Sequence, residues 1–397
     1  MTGLRASIAK KFARSEPLPA GLFHYRAPAD DPLNYRLHLR IEPGGNGILI
    51  INASTILHLN NTAAEYAYHL IKRTPKEEVA KEISTRYQVS RKIALEDFNR
   101  LKEQVETLIT TIDLDPVTFF GFERHPPYSD DISAPYRLDC ALTYQLPNKT
   151  DLHFAPTKHV DRELTTTEWK SIIDTAWRAG IPHLVFTGGE PTLRADLSEL
   201  IEHAESNGQV TGLITDGVKL SDTSYLHELL QSGLDHVMIV LHPDDNQSWQ
   251  ALANFSYWAD VLDEDIFVSA HLTLTPENAR HAMTLLDKLN EAGVSAVSLS
   301  ANDKSLNDLL QDARSYADDL DLELVWDLPV PYSNINPVNL ELEEKDIVDE
   351  TAHGRRSLGW LYIEPDGDVI HYQGARSTLG NLLSDEWEQI WVKALAK

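Results

Sequence analysis

Two short loops concentrate the residue types that could do chemistry. In Val185-Phe186-Thr187-Gly188-Gly189-Glu190-Pro191 an apolar run ends on two glycines, a carboxylate and a proline. Paired glycines at a strand end let another group come close to the backbone, and the carboxylate and proline then fix the turn into the next helix. Thr215-Asp216-Gly217 closes the following apolar run in a similar way. If both runs are parallel strands, Glu190 and Asp216 stand on loops beyond strand ends, where the site residues of such sheets gather. There they could hold a ligand or serve polar chemistry such as group transfer. The structural alternative has Glu190 capping a helix and Asp216 stabilising a turn.

Sulfur bounds the remaining chemistry. The 397 residues include one cysteine, Cys140, so no disulfide, cysteine-based zinc site or cysteine-ligated iron-sulfur cluster can form within one chain. Cys140 lies in an apolar strand between Leu138 and Leu142 and reads as a small buried hydrophobe. His153 and His159 could bind a metal with Asp151 and Asp161, but no recognised spacing supports them, and such histidines in a polar loop more often face water. His242, Asp327 and Tyr332 also follow strands, yet their types are too common to single out.

Charge narrows the partners. With 61 acidic against 35 basic residues the formal charge is -26, which repels phosphate backbones and anionic lipid. Residues 72 to 106 interleave nine Lys or Arg with seven Asp or Glu, the pattern of a solvated helix surface and not of a phosphate-tracking stripe. No apolar run approaches the roughly 20 residues that span a bilayer. The first fifteen residues carry Arg5, Lys10, Lys11 and Arg14 and no acid, a pattern that a transit peptide shares with a short amphipathic terminal helix; without an apolar stretch secretion is excluded, and the expectation is a terminal helix on a soluble, cytoplasmic protein.

The elements that must position these residues follow from periodicity. Pro17, Pro19 and Ala27 to Pro32 mark a loop; Tyr35 to Ile41 and Gly47 to Ile51 then read as two strands about a Gly44-Gly45 turn, with Leu57 to Leu59 as a third. Helical patterns cover Ala63 to Ile71, Pro75 to Tyr87 with Val79, Ile83 and Tyr87 on one stripe, and Ser90 to Ile109 with Ile93, Phe98, Leu101, Val105 and Leu108 on another. Asp113 to Pro135 is a proline-punctuated linker. Strand candidates then recur at 138–143, 183–187, 210–215, 236–241, 267–274 and 296–300 with helical patterns between them, the first opened by the capping box Thr165-Thr166-Thr167-Glu168. The expected fold is α/β: a partial or closed (β/α)6 barrel with a small winged-helix-like N-terminal domain. Leu322 to Trp326 adds a further strand, Trp360 to Ile363 and Asp368 to Tyr372 flank the turn Pro365-Asp366-Gly367, and Asp385 to Leu395 closes the chain as a short helix.

The Gly188-Gly189-Glu190-Pro191 loop, the Asn207-Gly208 helix end and Thr215-Asp216-Gly217 together resemble the cofactor-binding region of radical S-adenosylmethionine enzymes. The resemblance implies that Gly188, Gly189, Glu190, Pro191, Thr215, Asp216 and Gly217 are cofactor-binding positions. Residues 35–112, with Leu57-His58-Leu59-Asn60-Asn61-Thr62-Ala63, are similar to the PqqD-type element, in which a precursor peptide adds a strand to the sheet edge. Ile363-Glu364-Pro365-Asp366-Gly367-Asp368-Val369-Ile370, Leu379-Gly380-Asn381-Leu382 and Trp391 resemble the SPASM or twitch extension. The implied domains are an N-terminal segment 1–34, the PqqD-like domain 35–112, a linker 113–135, the barrel 136–328 and the extension 329–397.

One departure dominates. The family holds a [4Fe-4S] cluster with a Cys-x3-Cys-x2-Cys loop after the first barrel strand; registering Leu142-Thr143 and Phe154-Ala155 with that pattern puts Leu146, Thr150 and His153 at the three ligand positions. None can replace a thiolate as the set requires. The extension's usual Pro-Cys likewise reads His371-Tyr372. The expectation is a cluster-free homologue that binds a peptide or protein partner through the N-terminal sheet edge, with S-adenosylmethionine or another small molecule at the barrel mouth left open. Two alternatives stand beside it: an enzyme using S-adenosylmethionine or a nucleotide for non-radical chemistry, and a winged-helix regulator.

Overall fold

The computed structural model describes residues 17–28, 30–111, 132–147, 160, 162–262, 266–325, 328–331, 358–375 and 377–396. Two compact units divide the chain, residues 1–133 and 134–397.

In the first unit an antiparallel meander of four strands runs in the order β1 (Gly21–Arg26), β2 (Arg36–Ile41), β3 (Gly47–Ile51) and β4 (Thr55–Leu59). Helices α1 (Asn61–Ile71), α2 (Lys76–Tyr87) and α3 (Arg91–Thr110) follow. Period-2 alternation turns Leu37, Leu39 and Ile41 of β2, with Leu49 and Ile51 of β3, into one core with Ala67, Val79, Ile83, Phe98 and Val105 of the helices. The Asn60 side chain accepts from the Ala63 backbone N–H and caps α1, one residue before the expected position. Ser90 caps α3 in the same way.

Two sequence expectations need correction here. The stretch before Tyr35 is not all loop, because Gly21–Arg26 forms β1 and the sheet has four strands. Its alternate residues are only half-buried, so it lacked the strong apolar signal that marked β2 and β3. On α3, Ile93 is exposed and Ala94 takes the core position. The 3.6-residue period places 94, 98, 101, 105 and 108 on one stripe, and residue 93 falls beside it.

In the second unit a ten-stranded sheet has the order β11-β10-β9-β8-β7-β6-β5-β12-β13-β14. Strands β5 (Arg137–Thr143), β6 (His183–Gly188), β7 (Val210–Thr215), β8 (His236–Val240), β9 (Phe267–Leu274), β10 (Ala296–Ala301) and β11 (Glu323–Leu324) are parallel. Helices α4 (Thr166–Arg178), α5 (Leu197–Asn207), α6 (Thr223–Gln231), α7 (Asn246–Leu262), α8 (Ala282–Glu291) and α9 (Asn307–Asp319) alternate with them. Each crossover links nearest neighbours in one direction along the sheet, and right-handed crossovers of that kind put every helix on the same face. This is the partial-barrel α/β arrangement, and among the described residues no ladder joins β11 to β14. The capping box at Thr165 and Glu168 is formed in full.

After the barrel strands the chain returns to the same sheet. Strand β12 (Trp360–Ile363) lies parallel to β5, with Tyr362 opposite Asp139, and β13 (Asp368–Ile370) and β14 (Gly380–Asn381) extend it antiparallel. Helix α10 (Trp387–Leu395) closes the described chain.

Candidate functional site

Strand register separates the two faces of the parallel sheet. Leu138, Cys140 and Leu142 share a face with Phe186, Leu213, Val237 and Ala270, an apolar layer suited to the helix side. The opposite face carries Asp139, Thr143, Val185, Thr187, Met238, Ser269, His271, Ser298 and Ser300. This inner face joins an apolar cluster of Val185, Ile214, Met238 and Val240 to a polar set, and it is there and in the loops at its C-terminal rim that chemistry can be arranged.

Glu190 is the best-connected group at that rim. It is 3% exposed. Its Oε1 accepts from the Thr192 backbone N–H at 2.9 Å, the Thr192 hydroxyl at 2.5 Å and the Thr215 hydroxyl at 2.8 Å, while Oε2 accepts from the Asp216 N–H at 2.8 Å. One carboxylate therefore ties the end of β6 to the end of β7. Asp216 in turn accepts from the Val218 N–H at 2.9 Å, and the Lys219 ammonium donates to the Thr192 carbonyl at 2.7 Å. Burial, followed by the charge of Asp216, pushes the Glu190 carboxyl up to about 7 against hydrogen bonds from Thr192 and Asp216 that favour ionisation. Asp216 is also raised, chiefly by burial, and nearby His242 works in the opposite direction.

The two glycines answer to a close approach. Gly188 has φ +131°, and a Cβ there would stand 2.2 Å from the Thr143 carbonyl oxygen. A Cβ on Gly189 would stand 2.2 Å from the Gln145 carbonyl oxygen. The backbones are stitched together by Gly189 N–H to Thr143 O and Glu190 N–H to Gln145 O, both 2.7 Å. The room that glycine creates is thus taken by the chain's own segment after β5. Glu163 holds that segment from below, accepting from the Thr143 hydroxyl at 2.6 Å and the Tyr144 N–H at 2.9 Å. Arg194, paired with Asp196, donates to the carbonyls of Leu142 and Leu164.

The structure therefore brings Gly188, Gly189, Glu190, Thr215 and Asp216 into one hydrogen-bonded knot, with Pro191 opening the short 3-10 turn and Gly217 after it donating its N–H to the Thr215 hydroxyl. His242 lies beside this knot although its sequence context did not distinguish it. Thr150, His153, Asp151, His159, Asp161, Asp327 and Tyr332 lie outside the described residues. Also unanticipated is an imidazole-hydroxyl cluster on the inner face. His271 has its Nδ1 3.0 Å from the Ser298 hydroxyl and its Nε2 3.1 Å from those of Thr273 and Ser300. Burial pushes His271 down to about 4. The alternation Ser269-x-His271-x-Thr273 and Ser298-x-Ser300 was the signal available for it. At the opposite, N-terminal ends of the strands, His183 and His236 meet at 2.8 Å, and burial drives His236 down to about 4.

A thiolate-held cluster does not fit the residues present. Cys140 is 1% exposed in mid-strand on the apolar face, and burial, then Asp139, drives its thiol well above the ordinary value. Leu146 offers no donor atom. Among the described residues no group of three or more His, Cys, Asp or Glu is arranged to hold a metal ion.

An open parallel sheet with a glycine-carboxylate loop at its rim is a common α/β arrangement, and similarity to known proteins narrows it. Residues 140–299, from within β5 to within β10, match the family model described as Radical SAM superfamily. The chain is similar in fold to Streptococcus suis SuiB. In the crystal structure of SuiB bound to the precursor peptide SuiA, identity is 16%, coverage is 89% of this chain and 86% of that chain, and the TM-score is 0.56. For SuiB bound to S-adenosylmethionine the coverage is the same, with 15% identity and a TM-score of 0.54. No helix among the described residues is long and apolar enough to cross a membrane.

Proposed function

We propose that this protein is a cluster-free homologue of peptide-modifying radical enzymes that acts as a non-catalytic, cytoplasmic binding partner in a peptide or protein modification pathway. The observation that carries the reading is the sulfur content: one cysteine, buried on the apolar face of β5, on a fold shared with SuiB, which binds a precursor peptide and S-adenosylmethionine. Reductive cleavage of a sulfonium needs an electron delivered through a cluster, and three thiolates are needed to leave one iron open. The Glu190 knot supports the same reading, because the hydrogen-bonding capacity of its carboxylate is taken up within the chain. Residues 35–112 serve in this reading as a PqqD-like peptide receptor, residues 329–397 as a SPASM-like extension, and Leu146, Thr150 and His153 stand where cluster ligands were.

Anaerobic reconstitution of the purified chain with iron and sulfide tests it, read by metal content and visible absorption. The expected result is no stoichiometric cluster. A brown protein that cleaves S-adenosylmethionine unaided would overturn the reading.

One observation favours a second reading, an enzyme that binds S-adenosylmethionine or a nucleotide at the rim for polar chemistry. A buried carboxyl raised to about 7 has the profile of a general acid or base. Calorimetric titration with S-adenosylmethionine and with nucleotides separates the two: tight binding, abolished by Glu190→Ala in a protein that remains folded, would favour the enzyme.

A further inference from the structure

The outermost strand adds only half-buried side chains, Phe23 and Tyr25 among them, to the first unit's core. The core's fully buried residues come from β2, β3, β4 and the three helices, and none comes from β1. Strand β1 is added to the edge of β2 by an antiparallel ladder, Gly21 opposite Ile41 through Arg26 opposite Arg36, and only every second side chain turns inward. Two of these, Phe23 and Tyr25, do the anchoring. Phe23 meets the Tyr68 ring edge-on at 4.8 Å with the Lys72 ammonium 5.4 Å from its centroid. Tyr25 lies under the Arg73 guanidinium at 4.5 Å, accepts a hydrogen bond from it, and packs against Tyr35 at 5.6 Å. Beyond Tyr25 a cavity of about 320 Å³ continues between Leu37, Arg73, Lys102 and Val105, so the seat extends past the strand that fills it.

Resting on the peptide-receptor reading above, we propose that β1 is an intramolecular stand-in for a partner strand, and that the edge of β2 takes an extended peptide with aromatic side chains two residues apart, which must displace β1. The seat itself states this chemistry. Backbone pairing to β2 demands an extended chain, and Lys72 and Arg73 reward aromatic faces at alternate positions through cation-π attraction. Tethered by a short connection, β1 competes at a local concentration of roughly millimolar. Its release should therefore strengthen binding of a peptide with about 10 μM intrinsic affinity by about a hundredfold.

The test uses a fluorescent synthetic peptide with the sequence of residues 17–30 and a control peptide with serine at both aromatic positions. Each is titrated into the full chain and into the full chain carrying Phe23→Ser and Tyr25→Ser. The expected result is binding of the aromatic peptide about a hundredfold tighter to the double variant than to the unaltered chain, with no binding of the serine peptide. Amide exchange on the unaltered chain should show β1 opening well before β2 and β3. Four outcomes would overturn the proposal: a folded double variant that binds neither peptide, equal binding of both peptides, β1 amides as protected as those of β3, or a double variant that cannot fold. Any of these, found while iron and sulfide reconstitution still yields no cluster, removes the strand seat and leaves the cluster-free reading standing. Cluster assembly with the strand seat intact does the reverse.

Discussion

The rim of the parallel sheet and the outer edge of the N-terminal sheet hold their parts together in opposite ways. At the rim, one buried carboxylate receives four donors from two strands, and two glycines admit a neighbouring backbone at distances no side chain allows. At the edge, β1 is held by a backbone ladder and two half-buried aromatic residues under cations. The first arrangement has no slack, since removing any member strands a buried polar group. The second, on the proposal made above, opens and closes at modest cost. The residues most recognisable as a motif are thus engaged within the chain, whereas the exchangeable contact lies in a segment with no motif at all.

Substitutions can break this comparison, and the largest effect belongs to the rim. Glu190→Ala leaves the N–H groups of Thr192 and Asp216 and two hydroxyls without their acceptor, and should lower the stability of the second unit by roughly 4 kcal/mol, measured by urea denaturation with amide exchange at β6 and β7. Gly188→Ala drives a Cβ into the Thr143 carbonyl and should cost about 3 kcal/mol or more by the same measurement, while the first unit is unaffected.

The pH dependence sharpens the picture next. Glu190 is raised to about 7, so the stability linked to it is fully present below the ordinary carboxyl range and is lost as pH rises through 7. His236 and His271 are lowered to about 4 by burial, so their contribution is present above the ordinary imidazole value and is lost as pH falls toward 4. Each is worth about 3 kcal/mol at full extent, and the slopes oppose one another between about pH 4.5 and 6.5. In Glu190→Gln the opposing slope is reduced to what Asp216 still contributes, and thermal denaturation of the second unit should rise more steeply with pH across that window than in the unaltered protein. Parallel curves would show that Glu190 does not titrate there.

Smaller effects are expected at the edge. Tyr25→Ala removes a half-buried ring from under Arg73 and should cost about 1 to 2 kcal/mol, seen as faster amide exchange in β1 with β2 and β3 little changed. Smallest of all, Cys140→Ala should shift the thermal midpoint by only a few degrees and leave iron content after reconstitution as low as before, because the thiol packs as a small apolar group. A fall in bound iron would instead make Cys140 a ligand.

How much of this could be read beforehand depended on the range of the signal. The capping box at Thr165, the Gly367 turn and the parallel strands from β5 to β10 rest on patterns within a few residues, and the structure contains them. Glu190 and Asp216 were recognisable as a pair of rim residues, but the capture of one carboxylate by both Thr192 and Thr215 was not, since Thr215 lies 25 positions further along. Ile93 is apolar but lies one residue out of phase with the α3 core stripe, and only the packed helix shows that Ala94 takes that place.

The order of residues alone determined the charge, the single thiol and the alternation of strands with helices, because composition and short-range periodicity are properties of the chain before it folds. Which edges meet was decided only in three dimensions. Pairing of β12 with β5 joins Tyr362 to Asp139, and β1 claims the edge of β2, choices that depend on which surfaces remain to be buried once the local elements exist. The same holds for the glycines: the sequence marks where a close approach is permitted, and only the packed chain supplies the backbone that makes it.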